Sequence, residues 1–185
     1  MNNEDFDSIG DEKRLDTFKK AVEKDFMVKF NNLDADDEDE LDEKIDAIKN
    51  SDTYRKYERI WNRFADLCET NNILARADWT CCNTCGNSEI DREKDRMEKS
   101  CNKKYVGYVF YHLQESDRIY TQCQEDKEEI KVWLGWGYFD NLDEENDTKC
   151  IKLAEKIYKI ALDAGCDLDY TDISQKLEFK ATLKN

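Results

Sequence analysis

"KYVGYVFYHLQ", residues 104–114, is where the chain changes its period. Apolar side chains here fall on both faces of a two-residue repeat, the pattern of a central strand covered on each side. His112 shares one face of that strand with Val106, Tyr108 and Phe110. "IKVWLGWGYF", residues 130–139, reads the same way, with Gly135 and Gly137 marking a bulge or a close backbone approach. Residues 115–128 between them fit a short helix or an irregular crossing. "CDLDY", residues 166–170, fits a short strand. In "KLEFKATL", residues 176–183, Leu177, Phe179, Ala181 and Leu183 alternate with Lys176, Glu178, Lys180 and Thr182. That is a half-exposed strand with a charged outer face. These segments predict a mainly antiparallel sheet of about four strands.

Around that sheet the period is helical. Leu15, Phe18, Val22, Phe26 and Phe30 share one face at three- and four-residue steps, and Leu41, Ile45 and Ile48 suggest a second helix. Tyr54, Tyr57, Ile60, Trp61, Phe64, Leu67 and Cys68 form a broad stripe with Ser51 or Asp52 as N-cap. "SEIDREKDRMEKS" predicts an exposed helix capped by Ser88. Residues 148–164 carry another stripe, and Gly165 is placed to end it in the left-handed conformation. The fold class is therefore α+β, with helices preceding a sheet packed with helices. Residues 1–50 read as an acidic helical appendage with a charged linker, and 51–185 as an α+β cysteine-turn domain. Residues 1–10 and 34–40 have little to bury and are expected to be mobile.

Charge narrows the partners. Lys and Arg total 29, Asp and Glu 44, so the net charge is -15. Nucleic acid and anionic membrane surfaces are disfavoured, while a basic protein partner or a cation is favoured. "DADDEDELDE", residues 34–43, fails as a calcium loop because Asp39 and Ile45 stand where glycine and a bidentate Glu are required. Asp172 likewise occupies the glycine position in "DLDYTDISQKLE". The acidic start lacks the basic and apolar regions of a secretory signal, and "YVGYVFYHL" is too short to span a bilayer. An intracellular, reducing setting is expected. The absence of proline, with abundant Asn, Lys, Ile, Asp and Glu, hints at an AT-rich genome such as that of a large DNA virus or an AT-rich microbe.

In a reducing setting, eight cysteines suggest buried thiols, a metal site or redox chemistry. Cys68, Cys150 and Cys166 lie among apolar residues and read as small core side chains. "TCCNTCGNSEI", residues 80–90, is different: Cys81, Cys82 and Cys85 fall within five positions and Gly86 follows. Cys82 and Cys85 form one CxxC pair, which is half of a four-ligand zinc site. Cys101, Cys123 and His112 are candidates for the rest, though none is paired in sequence. Zinc on Cys81, Cys82, Cys85 and His112 is one reading. A redox pair at a helix N-terminus is another, and a nucleophilic Cys82 or Cys85 activated by His112 a third. The thioredoxin comparison fails, because that fold needs a cis-proline and this chain has no proline. The plainest alternative is three thiols packed at a turn.

Together, "ARADWTCCNTCGNSEI", "GYVFYHLQESD" and "LGWGYF" resemble an uncharacterised domain family found mostly in bacteria. Its pattern runs Cys-Cys-x-x-Cys-Gly, then Gly-Tyr-x-Phe-x-His-x-Gln-Asp, then a strand ending in Tyr-Gly. The resemblance covers about residues 55–183. It implies that Cys81, Cys82, Cys85, Gly86, His112 and Gln114 occupy motif positions, and that the cysteine turn and His112 meet in space. Glu115 stands where the pattern has Asp, and Trp136 where it has the Tyr before Gly137. The family implies no reaction. The expected function is a non-enzymatic binding or structural domain whose thiol cluster would take zinc; the alternative is a thiol-dependent redox or hydrolytic enzyme.

Overall fold

The computed structural model describes residues 38–139, 146–169 and 177–183. The expectations for residues 1–10, for the helix over 11–32 and for most of 34–40 lie outside them. The chain forms two compact units, Met1–Lys44 and Ile45–Asn185.

Ten elements are described: α1 (Glu38–Lys49), α2 (Asp52–Thr70), β1 (Ile73–Arg76), α3 (Asn83–Cys101), β2 (Gly107–Phe110), α4 (Leu113–Gln124), β3 (Glu129–Tyr138), α5 (Asn146–Ala164), β4 (Asp167–Asp169) and β5 (Leu177–Thr182). The strands form one sheet in the order β1-β2-β3-β5-β4. β1 and β2 are parallel, as a strand–helix–strand crossover through α3 requires. The other three pairings are antiparallel. The α+β class with a mainly antiparallel sheet therefore holds, with five strands where about four were expected.

α2 forms where the aromatic stripe predicts it. Ser51 caps it, its side chain accepting from the Tyr54 N–H at 3.2 Å. The stripe faces the sheet: the Trp61 ring lies 4.6 Å from Tyr111 and 5.6 Å from Phe179, and Phe64 lies 5.1 Å from Phe179. Burying each such side chain stabilises the fold by about 1.5–3 kcal/mol. α5 adds Leu153, Ala154, Ile157 and Ala161, all buried. It ends at Gly165 with φ 84°, where Gly165 N–H donates to Leu162 O and Cys166 N–H to Ala161 O. That pair of bonds is the Schellman closure. β5 buries Leu177, Phe179 and Ala181 and turns Glu178 and Lys180 outward, as the alternation predicts.

Three expectations are corrected. β2 ends at Phe110, so His112 is not on a strand; it is the N-cap of α4. α3 begins at Asn83 and not at Ser88, with Cys82 as its N-cap. β3 is central but alternates in burial along its first half, so it is not covered evenly on both sides.

α4 occupies an unusual place. β2 pairs only with Tyr138 to Gly135 of β3, which leaves the same edge of β3 open over Lys131 and Trp133. α4 fills that gap. Gln122 donates its amide to Lys131 O at 2.9 Å and accepts from Lys131 N–H at 2.9 Å, and Glu115 accepts from Trp133 N–H at 2.9 Å. A side-chain amide thus makes the two bonds that a neighbouring strand residue would make. This accounts for the burial of Glu115 at 8% exposure.

Candidate metal centre

Because β1 and β2 are parallel, the segments after them leave the sheet on the same side. The carboxyl ends of parallel strands are where α/β proteins assemble ligand sites. Backbone hydrogen bonds continue the pairing past both strand ends. Tyr111 N–H donates to Arg76 O at 3.1 Å, Trp79 N–H to Tyr111 O at 2.8 Å, and Leu113 N–H to Thr80 O at 3.0 Å. The loop before Cys81 is therefore laced to the residues on either side of His112.

That loop carries local strain. Asp78 and Thr80 have φ of 50° and 60°, a region costly for residues with a Cβ and most costly for a β-branched one. Side chains hold it in place. Ser116 donates its hydroxyl to Asp78 Oδ1. Trp79 Nε1 donates to Gly86 O at 3.3 Å, and Thr80 Oγ1 to Cys82 O at 3.1 Å.

Cys82 then starts α3 in extended backbone, φ -155° and ψ 170°. This is the N-cap geometry, in which a Ser or Asp oxygen normally accepts from the free helix N–H groups. Here a sulfur takes that place. The geometry falls short of a formal side-chain cap bond. Even so, the backbone N–H groups of Cys85 and Thr84 favour the thiolate. They hold the Cys82 pKa below its ordinary value, the Cys85 N–H most of all, with help from the Cys85 and Cys81 thiols. Burial raises the Cys81 thiol, and burial with hydrogen bonding to its neighbours pushes Cys85 up to about 12.

Gly86 follows in the first turn of α3, and its role is space. A Cβ there would lie 2.5 Å from two ring carbons of Phe110. Gly135 of β3 meets the same ring edge, where a Cβ would lie 2.6 Å from Phe110 Cζ and 2.6 Å from Asn83 Oδ1. Two glycines thus seat the start of α3 on the sheet. Gly86 thereby lets the helix approach the sheet.

The three sulfurs of Cys81, Cys82 and Cys85 all lie within 4.8 Å of one another. Cys81 is buried, while Cys82 and Cys85 are half-buried, so the cluster opens toward solvent.

The sequence matches a family described as a domain of unknown function over residues 10–179. The chain belongs to the DUF6891 family. No curated protein and no solved structure matches it. The DUF6891 match begins well before residue 55 and takes in the acidic N-terminal segment together with the cysteine turn.

Within this DUF6891 chain the structure sorts the proposed ligands. Cys81, Cys82 and Cys85 come together, and His112 is not a member of their group. His112 is buried at 3% exposure, and its neighbours Tyr111 and Leu113 make the backbone bonds to the loop. Cys101 stands at the far end of α3, about 24 Å along the helix axis from Cys85. Cys123 is buried near the end of α4 and also lies outside the group. Cys68 and Cys166 are buried as expected, while Cys150 is only half-buried. The Asp78–Ser116 clamp and the strained Thr80 were not foreseen, since nothing in sequence marks which loop residues take a positive φ.

No helix among the described residues is long and apolar enough to cross a membrane.

Proposed function

We propose that this chain is a non-enzymatic binding domain that holds a thiolate-preferring metal ion, zinc foremost, on Cys81, Cys82 and Cys85. The observation that carries the reading is the mutual approach of three sulfurs to within 4.8 Å. Zinc–sulfur bonds of about 2.3 Å in tetrahedral array place thiolates about 3.8 Å apart, so the cluster needs only a small contraction. One sulfur is already inclined to the thiolate form by the N–H groups of α3, and the other two would lose their protons to the metal. The fourth position would be taken by water or by a donor from a protein partner. All eight cysteines are free.

A second reading has one observation in its favour. Cys82 at a helix N-terminus, with a lowered pKa, has the character of a reactive thiol. Hydrolytic chemistry would need His112 within reach of that sulfur, and the described ligand group does not contain it.

The test is metal content after purification under reducing conditions. The metal reading expects about one zinc per chain and a near-ultraviolet thiolate-to-metal band on cobalt substitution. Cys85→Ser should lose both and Cys101→Ser neither. Chelation should lower the Tm and expose Cys82 and Cys85 to alkylation. Protein that is metal-free as purified, and takes up neither zinc nor cobalt at micromolar concentration, would overturn the reading. Rapid, selective alkylation of Cys82 in such protein would instead favour the enzyme.

A further inference from the structure

A groove of about 340 Å³ lies along the flank of the α2 stripe, bounded by the end of α5 and the end of β5. Lys56, Arg59 and Arg63 line it at i, i+3 and i+7 of α2, with Ile60, Thr182 and Leu183. Among the described residues, no carboxylate lines it. None of the three cations makes an ion pair among the described residues, whereas Arg76, Arg96, Lys104, Arg118 and Lys180 all do. In a chain with 44 acidic side chains against 29 basic ones, three cations left together without a carboxylate make a local reversal of sign.

We propose that this groove binds a small phosphate-bearing ligand, a phosphate monoester or a diphosphate. Arg59 is partly preorganised: its Nε donates to Arg55 O at 3.2 Å, which leaves its two terminal nitrogens available to a ligand. Two guanidinium forks match phosphoryl oxygens in pairs, the ammonium of Lys56 adds a point charge, and the Thr182 hydroxyl supplies a further donor. Three positive charges suit a phosphate or diphosphate better than a single carboxylate. Ile60 and Leu183 give an apolar floor for an organic substituent, and the volume falls at the small end of ligand pockets. The surrounding acidity sets the size limit. Charges beyond about 8 Å are screened at physiological salt, so a compact anion meets mainly the groove. A long polyanion would extend over the acidic surface and be repelled. The competing explanation is that the cations answer the partial negative charge at the C-terminus of α5.

Pyrophosphate and methyl phosphate are titrated into the full chain at constant ionic strength, with sulfate and chloride as controls, and binding is followed by calorimetry and by 31P NMR. Saturable binding of pyrophosphate is expected, tighter than sulfate, and weakened more than tenfold in R59Q/R63Q. R59K/R63K should lose less, and K99Q, which removes an exposed cation of α3 that does not line the groove, nothing. Both arginines are exposed, so the variants should fold; if R59Q/R63Q does not, K56M carries the same test, with a loss of several-fold expected. Absence of saturable pyrophosphate binding up to millimolar concentration overturns the proposal. So does unchanged binding in R59Q/R63Q or K56M, and a Tm loss in these variants without any anion effect would assign the cations to α5. Metal content is unaffected by any of these results, so this proposal and the zinc reading fail separately.

Discussion

Gly86→Ala has a sign that local propensity alone gets wrong. Replacing glycine by alanine inside a helix usually stabilises it by about 1 kcal/mol. Here the added methyl would stand 2.5 Å from Cε2 and Cζ of Phe110. The ring is fully buried, and Gly135 of β3 crowds the same ring edge, with no room for a Cβ there either. Overpacking of this kind costs about 1–3 kcal/mol, and two contacts at once put it at the upper end. Subtracting the propensity gain leaves a net loss of about 2 kcal/mol, or about 4–8 °C in Tm for a chain of this size. Urea unfolding of Gly86→Ala, Phe110→Leu and the double variant is the assay. The double variant should recover at least about 1 kcal/mol relative to the sum of the two singles. The same shift should loosen the start of α3 and raise the alkylation rate of Cys82 and Cys85. A Gly86→Ala protein as stable as the parent, or more stable, would refute the packing account of this glycine.

Two further outcomes are expected. Glu115→Ala should leave the Trp133 N–H without its partner at a cost of about 1–3 kcal/mol, with faster hydrogen exchange at that amide by NMR, while Glu115→Gln stays within about 1 kcal/mol of the parent; normal Trp133 protection in the alanine variant would exclude the strand-substitute role. Burial pushes Cys123 up to about 11 and Cys166 up to about 12 from an ordinary 9.0. Their folded pKa values lie above the unfolded ones, so this stability is complete below about pH 9 and is lost as the pH climbs through 11 to 12. The urea midpoint under reductant should therefore fall from pH 8 to pH 11, less steeply in Cys123→Ala, and a midpoint that holds or rises would contradict the assignment.

Sequence pattern reached the elements whose signals are local. The α2 stripe and its Ser51 cap, the Gly165 stop and the alternation of β5 are each written within a dozen residues, and each formed as read. β1 was missed because four residues, Ile73–Arg76, between a helix and a turn are too few to show a period. The end of β2 was missed for a related reason. Tyr111 and His112 prolong the apolar run, and the His112 side chain makes no cap bond that would announce a helix start. The convergence of Cys81, Cys82 and Cys85 was legible from spacing, because one turn brings such near neighbours together. The start of α3 was not, since Gly86 looks like a turn residue until the Phe110 ring explains it. Glu115 could not be understood from sequence at all, because its partner exists only where β2 stops short of β3.

That mismatch in strand length also bears on self-association. A strand edge with free N–H and C=O groups is a template on which another chain can pair. The stretch guarded by α4 includes Val132 and Trp133, a β-branched and an aromatic residue with high affinity for cross-strand contacts. Gln122 and Glu115 cover its polar groups with a helix, which cannot itself propagate a sheet. Local melting of α4 would therefore turn a guarded edge into an adhesive one, and the first consequence of damage to this helix would be aggregation through β3, ahead of global unfolding.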